Sequence, residues 1–127
     1  MFVTGSDADD AAVTIPLPAG WTSSLYGVPV TSLSASTNGQ VTANGAASTA
    51  FTNAALPAAV GGTNPTIFPL WDDMIMTAAN VTGGGIFRNE TGTAPNRQLI
   101  IEWRAQHFAE TVNGPITINI AAVLTEG

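Results

Sequence analysis

Cysteine and lysine are absent from this chain, and charge of either sign is scarce. Without cysteine there is no disulfide, no thiolate metal site and no cysteine nucleophile. The absence leaves the compartment open, because bacterial surface proteins often dispense with cysteine while small animal ectodomains usually depend on it. Charged residues make up 9% of the chain against about 25% in ordinary soluble domains, and the basic ones are Arg88, Arg97 and Arg104 alone. A chain of net charge -6 is repelled by condensed phosphate, which excludes nucleic acid and anionic membranes as partners. No apolar run reaches the ~18 residues of a membrane span, so no membrane insertion is expected. No basic segment leads into a hydrophobic stretch either; an exported form would be a mature chain, or an excised piece with Met1 added. No internal repeat and no wide amphipathic helical stripe is visible.

What is present is a chain of 127 residues, enough for one domain over residues 1–127 with a core of its own. Its polar complement of Thr, Ser, Asn and Gly suits an extracellular or cell-surface setting. Residues 1–10 read as a solvated lead-in that joins Phe2 and Val3 to the acidic run Asp7, Asp9 and Asp10.

The clearest local pattern is GTAPNRQLIIEWR, residues 92–104. Pro95 fixes φ and Asn96 tolerates left-handed backbone, so a turn is expected there. Leu99, Ile101 and Trp103 then share one face at period two, with Gln98, Ile100, Glu102 and Arg104 on the other. Pairing this strand with GIFRNE, residues 85–90, makes a hairpin that sets Phe87 near Ile101 and Arg88 within diagonal reach of Glu102. VTIPL, residues 13–17, alternates on one face, and its prolines suit an edge strand. VPVTSLSAS, residues 28–36, changes phase between Val30 and Leu33, which suggests a bulge. Asn38-Gly39 is the strongest hairpin signal, with residues 40–43 returning. Residues 44–64 read as a long loop, TIFPLWDDM (66–74) as one buried strand and 75–84 as a loop. Residues 105–114 read as a connection, and PITINIAAVL (115–124) as the last strand. Short strands and frequent turns without a helix predict an all-β, single-domain antiparallel β-sandwich, with a partly open barrel as the alternative.

Taken in order, Leu25-Tyr26-Gly27, Ser36-Thr37-Asn38-Gly39, Pro69-Leu70-Trp71-Asp72-Asp73, Gly84-Gly85-Ile86-Phe87, the 92–103 hairpin and residues 117–127 make a specific set. Together they resemble a bacterial extracellular β-sandwich domain related to the nidogen-like domains of animal matrix proteins. The resemblance implies a module of large secreted or cell-surface proteins in adhesion, matrix or structural roles, without catalytic residues to carry over. It also implies a further strand after the last one, so an open sheet edge beside residues 116–124 is expected. Phe2 and Val3 could fill such an edge in a neighbouring copy and build head-to-tail filaments.

Candidate chemistry is sparse. Asp72 and Asp73 at a strand end, or Asp7, Asp9 and Asp10 near the start, offer oxygen ligands that would suit calcium. The structural alternative makes Trp71 a core residue and lets the aspartates cap a turn or pair with Arg97. His107 lies in a polar connection with no Gly-flanked serine to serve, and Glu102 with Glu110 lacks an aromatic cleft for glycoside chemistry. Asn80 and Asn89 fit the N-glycosylation pattern. Trp21 and Tyr26 are the aromatics expected to be exposed for stacking on a glycan. The reading that follows is a non-enzymatic structural or adhesion module needing no cofactor, in contact with other copies of itself or with neighbouring surface-protein domains. A glycan- or calcium-dependent binding module of a secreted enzyme is the alternative. Trp71 and Trp103 are expected in one core, with Asn38, Gly39, Pro95, Asn96 and Arg97 shaping the turns.

Overall fold

A computed structural model describes residues 1–60, 62–110 and 114–127. Strands β1 (Ala12–Ile15), β4 (Leu33–Ser36), β5 (Val41–Ala43) and β6 (Thr66–Ile67) form one antiparallel sheet in the order β1-β4-β5-β6. The second sheet is built around β9 (Gln98–His107), which pairs with β8 (Gly85–Thr91), β10 (Ile118–Thr125) and, at its far end, β7 (Met74–Ile75). A small hairpin of β2 (Ser24–Leu25) and β3 (Val28–Pro29) stands apart, and a single 3-10 turn covers Phe108–Glu110. The fold is the all-β sandwich that the strand pattern predicts.

The period-two reading of β9 holds: Leu99, Ile101, Trp103 and Ala105 are all fully buried, facing Leu33, Ala35, Val41 and Ala43 of the other sheet. In β10 the inward positions are Ile118, Ile120, Ala122 and Leu124, and Asn119, Ala121, Val123 and Thr125 are exposed. Each fully buried Leu or Ile contributes about 1.5–3 kcal/mol, so the alternation itself specifies which face turns inward. As its prolines suggested, β1 is an edge strand.

Several local expectations give way to the demands of packing. The hairpin register pairs Phe87 with Glu102 and Arg88 with Ile101, one residue from the expected alignment. The reason lies in Ile86, which is fully buried and sits opposite Trp103; the expected register would have placed outward Phe87 against inward Ile101. Arg88 therefore pairs with Glu90 at 2.6 Å, while Glu102 takes Arg104 at 2.9 Å.

Residues 66–74 do not form one strand. Thr66 and Ile67 belong to the first sheet and Met74 to the second, with a turn between them. Pro69 has no N–H for a ladder, and the Leu70 carbonyl is pressed against Gly39, where a Cβ would stand 1.6 Å from its oxygen. The segment is apolar because it crosses from one sheet to the other. Residues 28–36 likewise split into β3 and β4 without a bulge; Asn44 Oδ1 accepts from the Thr31 N–H at 2.8 Å where the chain changes partners. The last strand starts at Ile118, and β9 runs on to His107, into what the sequence suggested was a connection.

The first residues are not a solvated tail. Arg88 N donates to Met1 O at 2.7 Å, Val3 N to Ile86 O at 2.9 Å, and Phe2 bridges to Phe87, so residues 1–3 lie along the outer edge of this chain's own β8. Val3 is buried, and Ser6, fully buried, accepts from Ile86 N through its Oγ. Gly85 makes room for the Phe2 ring, which a Cβ would approach to 2.6 Å.

Candidate functional site

The Asn38-Gly39 turn organises the polar end of the sandwich. Gly39 N donates to Ser36 O at 3.1 Å, Ser36 N to Gln40 O at 2.9 Å, and Gly39 has φ of 79°, which makes a three-residue loop with glycine at its left-handed position. The turn leaves the Asn38 side chain fully buried. Its Oδ1 accepts from Met74 N at 2.9 Å, and its Nδ2 donates to Asp10 Oδ1 at 2.8 Å and to Thr49 O at 2.9 Å. Beside it, Thr37 N donates to Ala11 O at 2.8 Å and Thr37 Oγ1 to Asp9 O. One turn thereby ties together the N-terminal acidic run, the loop after β5 and the segment before β7.

Asp9, Asp10 and Asp73 meet as a result, each offering a carboxylate oxygen within 4.8 Å of the others. Burial pushes the Asp9 carboxyl above its ordinary value, helped by the charges of Asp10 and Asp73. Asp73 is raised in the same way, by burial first and by Asp10 next, with nearby His107 opposing. Asp9 Oδ1 is buried without a hydrogen-bond partner among the described residues. Chemically the group can share protons or offer three hard oxygen ligands, against the six to eight or so that calcium takes. Asp7 lies outside it, and so does Asp72, which caps Asp73 N at 2.8 Å and approaches His107 Nε2 at 3.3 Å. The two acidic stretches of the sequence thus contribute to one cluster, with only part of each.

Neither aspartate pairs with Arg97. Its guanidinium instead grips Glu126 through Nε at 2.8 Å and through Nη2, donates to Ala19 O at 3.0 Å and lies 5.8 Å from the centre of the Trp21 ring. The hydrogen bond from Arg97 holds the Glu126 carboxyl below its usual value. This arginine locks the 92–97 turn, in which Asn96 N donates to Thr93 O at 2.8 Å beside exposed Pro95, to the end of β10. Trp21 is buried here, contrary to the expectation of an exposed ring, whereas Tyr26 is 77% exposed.

Trp103 sits in the central core and donates Nε1 to Ser36 O at 2.8 Å. Trp71 is also buried but stands outside that cluster, stacked on Phe68 at 5.0 Å and bonded to Ala50 O at 2.8 Å. The two do not share one core, because the crossing segment carries Trp71 to the flank under the loop after β5. His107 N donates to Glu110 Oε2 at 3.3 Å, and its Nδ1 accepts from the Ala109 N–H at 3.2 Å. Glu102 is held by Arg104, and Glu110 accepts from Thr117 Oγ1 at 2.6 Å. Asn89 is exposed on β8, and Asn80 is half-buried with its Oδ1 taken by Thr77. A cavity of about 500 Å³ opens beside Tyr26, lined also by Leu56, Pro57, Val60, Asn64 and Phe68. The hub role of Asn38 and the burial of Ser6 had no signal in the sequence beyond the turn itself.

No described helix is long and apolar enough to cross a membrane. No curated protein and no solved structure matches this chain. A family profile described as NIDO related matches residues 2–127. The profile spans nearly all of the sandwich, its turn motifs and its core strands, and the chain belongs to the nidogen-related family.

Proposed function

We propose that this domain is a non-catalytic structural or adhesion module of an exported bacterial protein, working at the cell surface or outside the cell by presenting a sheet edge to other protein. The observation that carries the reading is β10, an eight-residue strand paired with β9 on one side and with no strand on its outer side among the described residues. It has no charge and no proline, the devices that usually keep an edge from pairing. Membership of a nidogen-related family and the sparsely charged surface support the same setting. The test is to coat beads with the domain and follow their clustering. Wild-type beads should cluster, and Ala121→Pro, which blocks the edge, should abolish the effect; equal clustering by both would end the reading.

A second reading, a glycan- or calcium-dependent binding module of a secreted enzyme, draws on the Tyr26 cavity and on the convergence of Asp9, Asp10 and Asp73. EDTA tests the calcium form of this second reading. On the structural reading the melting temperature is unchanged, whereas a metal held at 100 times its dissociation constant would stabilise by about 2.7 kcal/mol and its removal would lower it.

A further inference from the structure

We infer that β10 pairs antiparallel with β10 of a second copy about a two-fold axis at Ala121, joining two sheets into one. The inference rests on the open-edge reading above and names the occupant of that edge.

The direction of the backbone groups comes first. Glu126 N donates to Arg97 O at 2.9 Å, so residue 126 faces β9, while Gly127 N turns the other way to Thr22 O at 2.8 Å. Alternation along the strand then aims the N–H and C=O groups of Asn119, Ala121 and Val123 outward. A two-fold axis normal to the sheet keeps both inner faces on one side, so inward residues must stand opposite inward residues.

Two axes satisfy that condition near the middle of β10. An axis at Ala122 would set half-buried Ile118 against the partner's Glu126, placing an aliphatic side chain on a carboxylate already committed to Arg97. An axis at Ala121 sets Ile118 against the partner's Leu124 and Ile120 against the partner's Ala122, apolar on apolar throughout. Either axis makes the outward-facing residues hydrogen-bonded pairs, and the one at Ala121 gives about six inter-strand bonds. Beside Leu124 each copy has a cavity of about 210 Å³, lined by Ser23, Leu25, Ile67 and Val123, which can receive the partner's Ile118. Charge does not oppose the contact: β10 is neutral, and the neighbouring Glu102 is neutralised by Arg104.

Because the chain lacks cysteine, single-cysteine variants report the register directly. In the full chain under mild oxidation, Ala121→Cys should form a disulfide dimer, since directly opposed hydrogen-bonded residues lie about 5.5 Å apart at Cα, within disulfide reach. Asn119→Cys alone should not, but mixed with Val123→Cys it should cross-link at least tenfold faster than alone. Light scattering should show a concentration-dependent dimer that Ala121→Pro reduces to monomer. That substitution removes an N–H the monomer does not use; unchanged melting at low concentration confirms that the fold is kept. A chain that is monomeric at every concentration, or three cysteine variants that oxidise at one slow rate, overturns the inference. Association that is lost in Ala121→Pro without any Ala121→Cys dimer also overturns it, while leaving the open-edge reading standing. Association that ignores Ala121→Pro overturns both.

Discussion

Replacing Asn38 by alanine should cost about 3 to 5 kcal/mol, an amount large for a turn residue. The figure comes from the partners it would strand. Met74 is fully buried, and its N–H has Asn38 Oδ1 as acceptor; leaving such a group unpaired costs roughly 1–3 kcal/mol. The bond to the Asp10 carboxylate involves a charge and is worth roughly 1.5–3 kcal/mol. The Thr49 carbonyl lies on an exposed residue and regains water, so it adds little. Urea unfolding followed by tryptophan fluorescence measures the change; with a slope of about 2 kcal/mol per molar, the midpoint should fall by roughly 1.5 to 2.5 M. A loss under about 1 kcal/mol would mean that the side chain does not tie these segments together. Asn38→Asp supplies a control of a different kind. It keeps the acceptor for Met74 but turns a carboxylate toward Asp10, so it should be destabilised at pH 7 and partly recover as the carboxyls protonate.

Trp103→Ala should cost about 3–5 kcal/mol, and Trp71→Ala clearly less, since it stands outside the central cluster; equal losses on urea unfolding would contradict that separation. The carboxyl of Asp73 is raised in the folded state, so what it contributes to stability is fully present below its unfolded value and is lost as pH rises through the folded one. Asp73→Asn should therefore melt higher than wild type at pH 7 and no higher at pH 3, and a lower melting temperature at pH 7 would show that the charge is held by something attractive.

Strand faces were legible because burial imposes them locally. Leu99, Ile101 and Trp103 need only the period-two rule, and Asn38-Gly39 needs only the left-handed φ that glycine adopts at that position. Register was less so. It depends on Ile86, whose neighbours Phe87 and Gly85 give no local reason to prefer one face, until Trp103 is placed opposite it. The run at residues 66–74 misled for a related reason: a segment that spans two sheets is as apolar as one that lies within a sheet, and only Pro69 hinted at the difference.

The acidic cluster shows what a linear reading leaves out. Asp9 and Asp10 are separated from Asp73 by about half the chain, and what brings them together is an amide that looked like turn chemistry alone. A repulsive group of carboxylates at that place opposes folding at neutral pH, and Asn38 offsets it by donating to Asp10 while holding Met74 in line. If the cluster were only incidental, neutralising Asp73 and removing Asn38 should act independently. The shared geometry predicts otherwise: the double variant Asn38→Ala, Asp73→Asn should lose more than the sum of the two single effects, because without Asn38 the segments separate and the repulsion whose relief stabilises Asp73→Asn is already weaker. A double-mutant cycle at pH 7 should give a coupling of about 0.5 kcal/mol or more, and at pH 3 it should shrink toward zero; strict additivity at both values would refute the link.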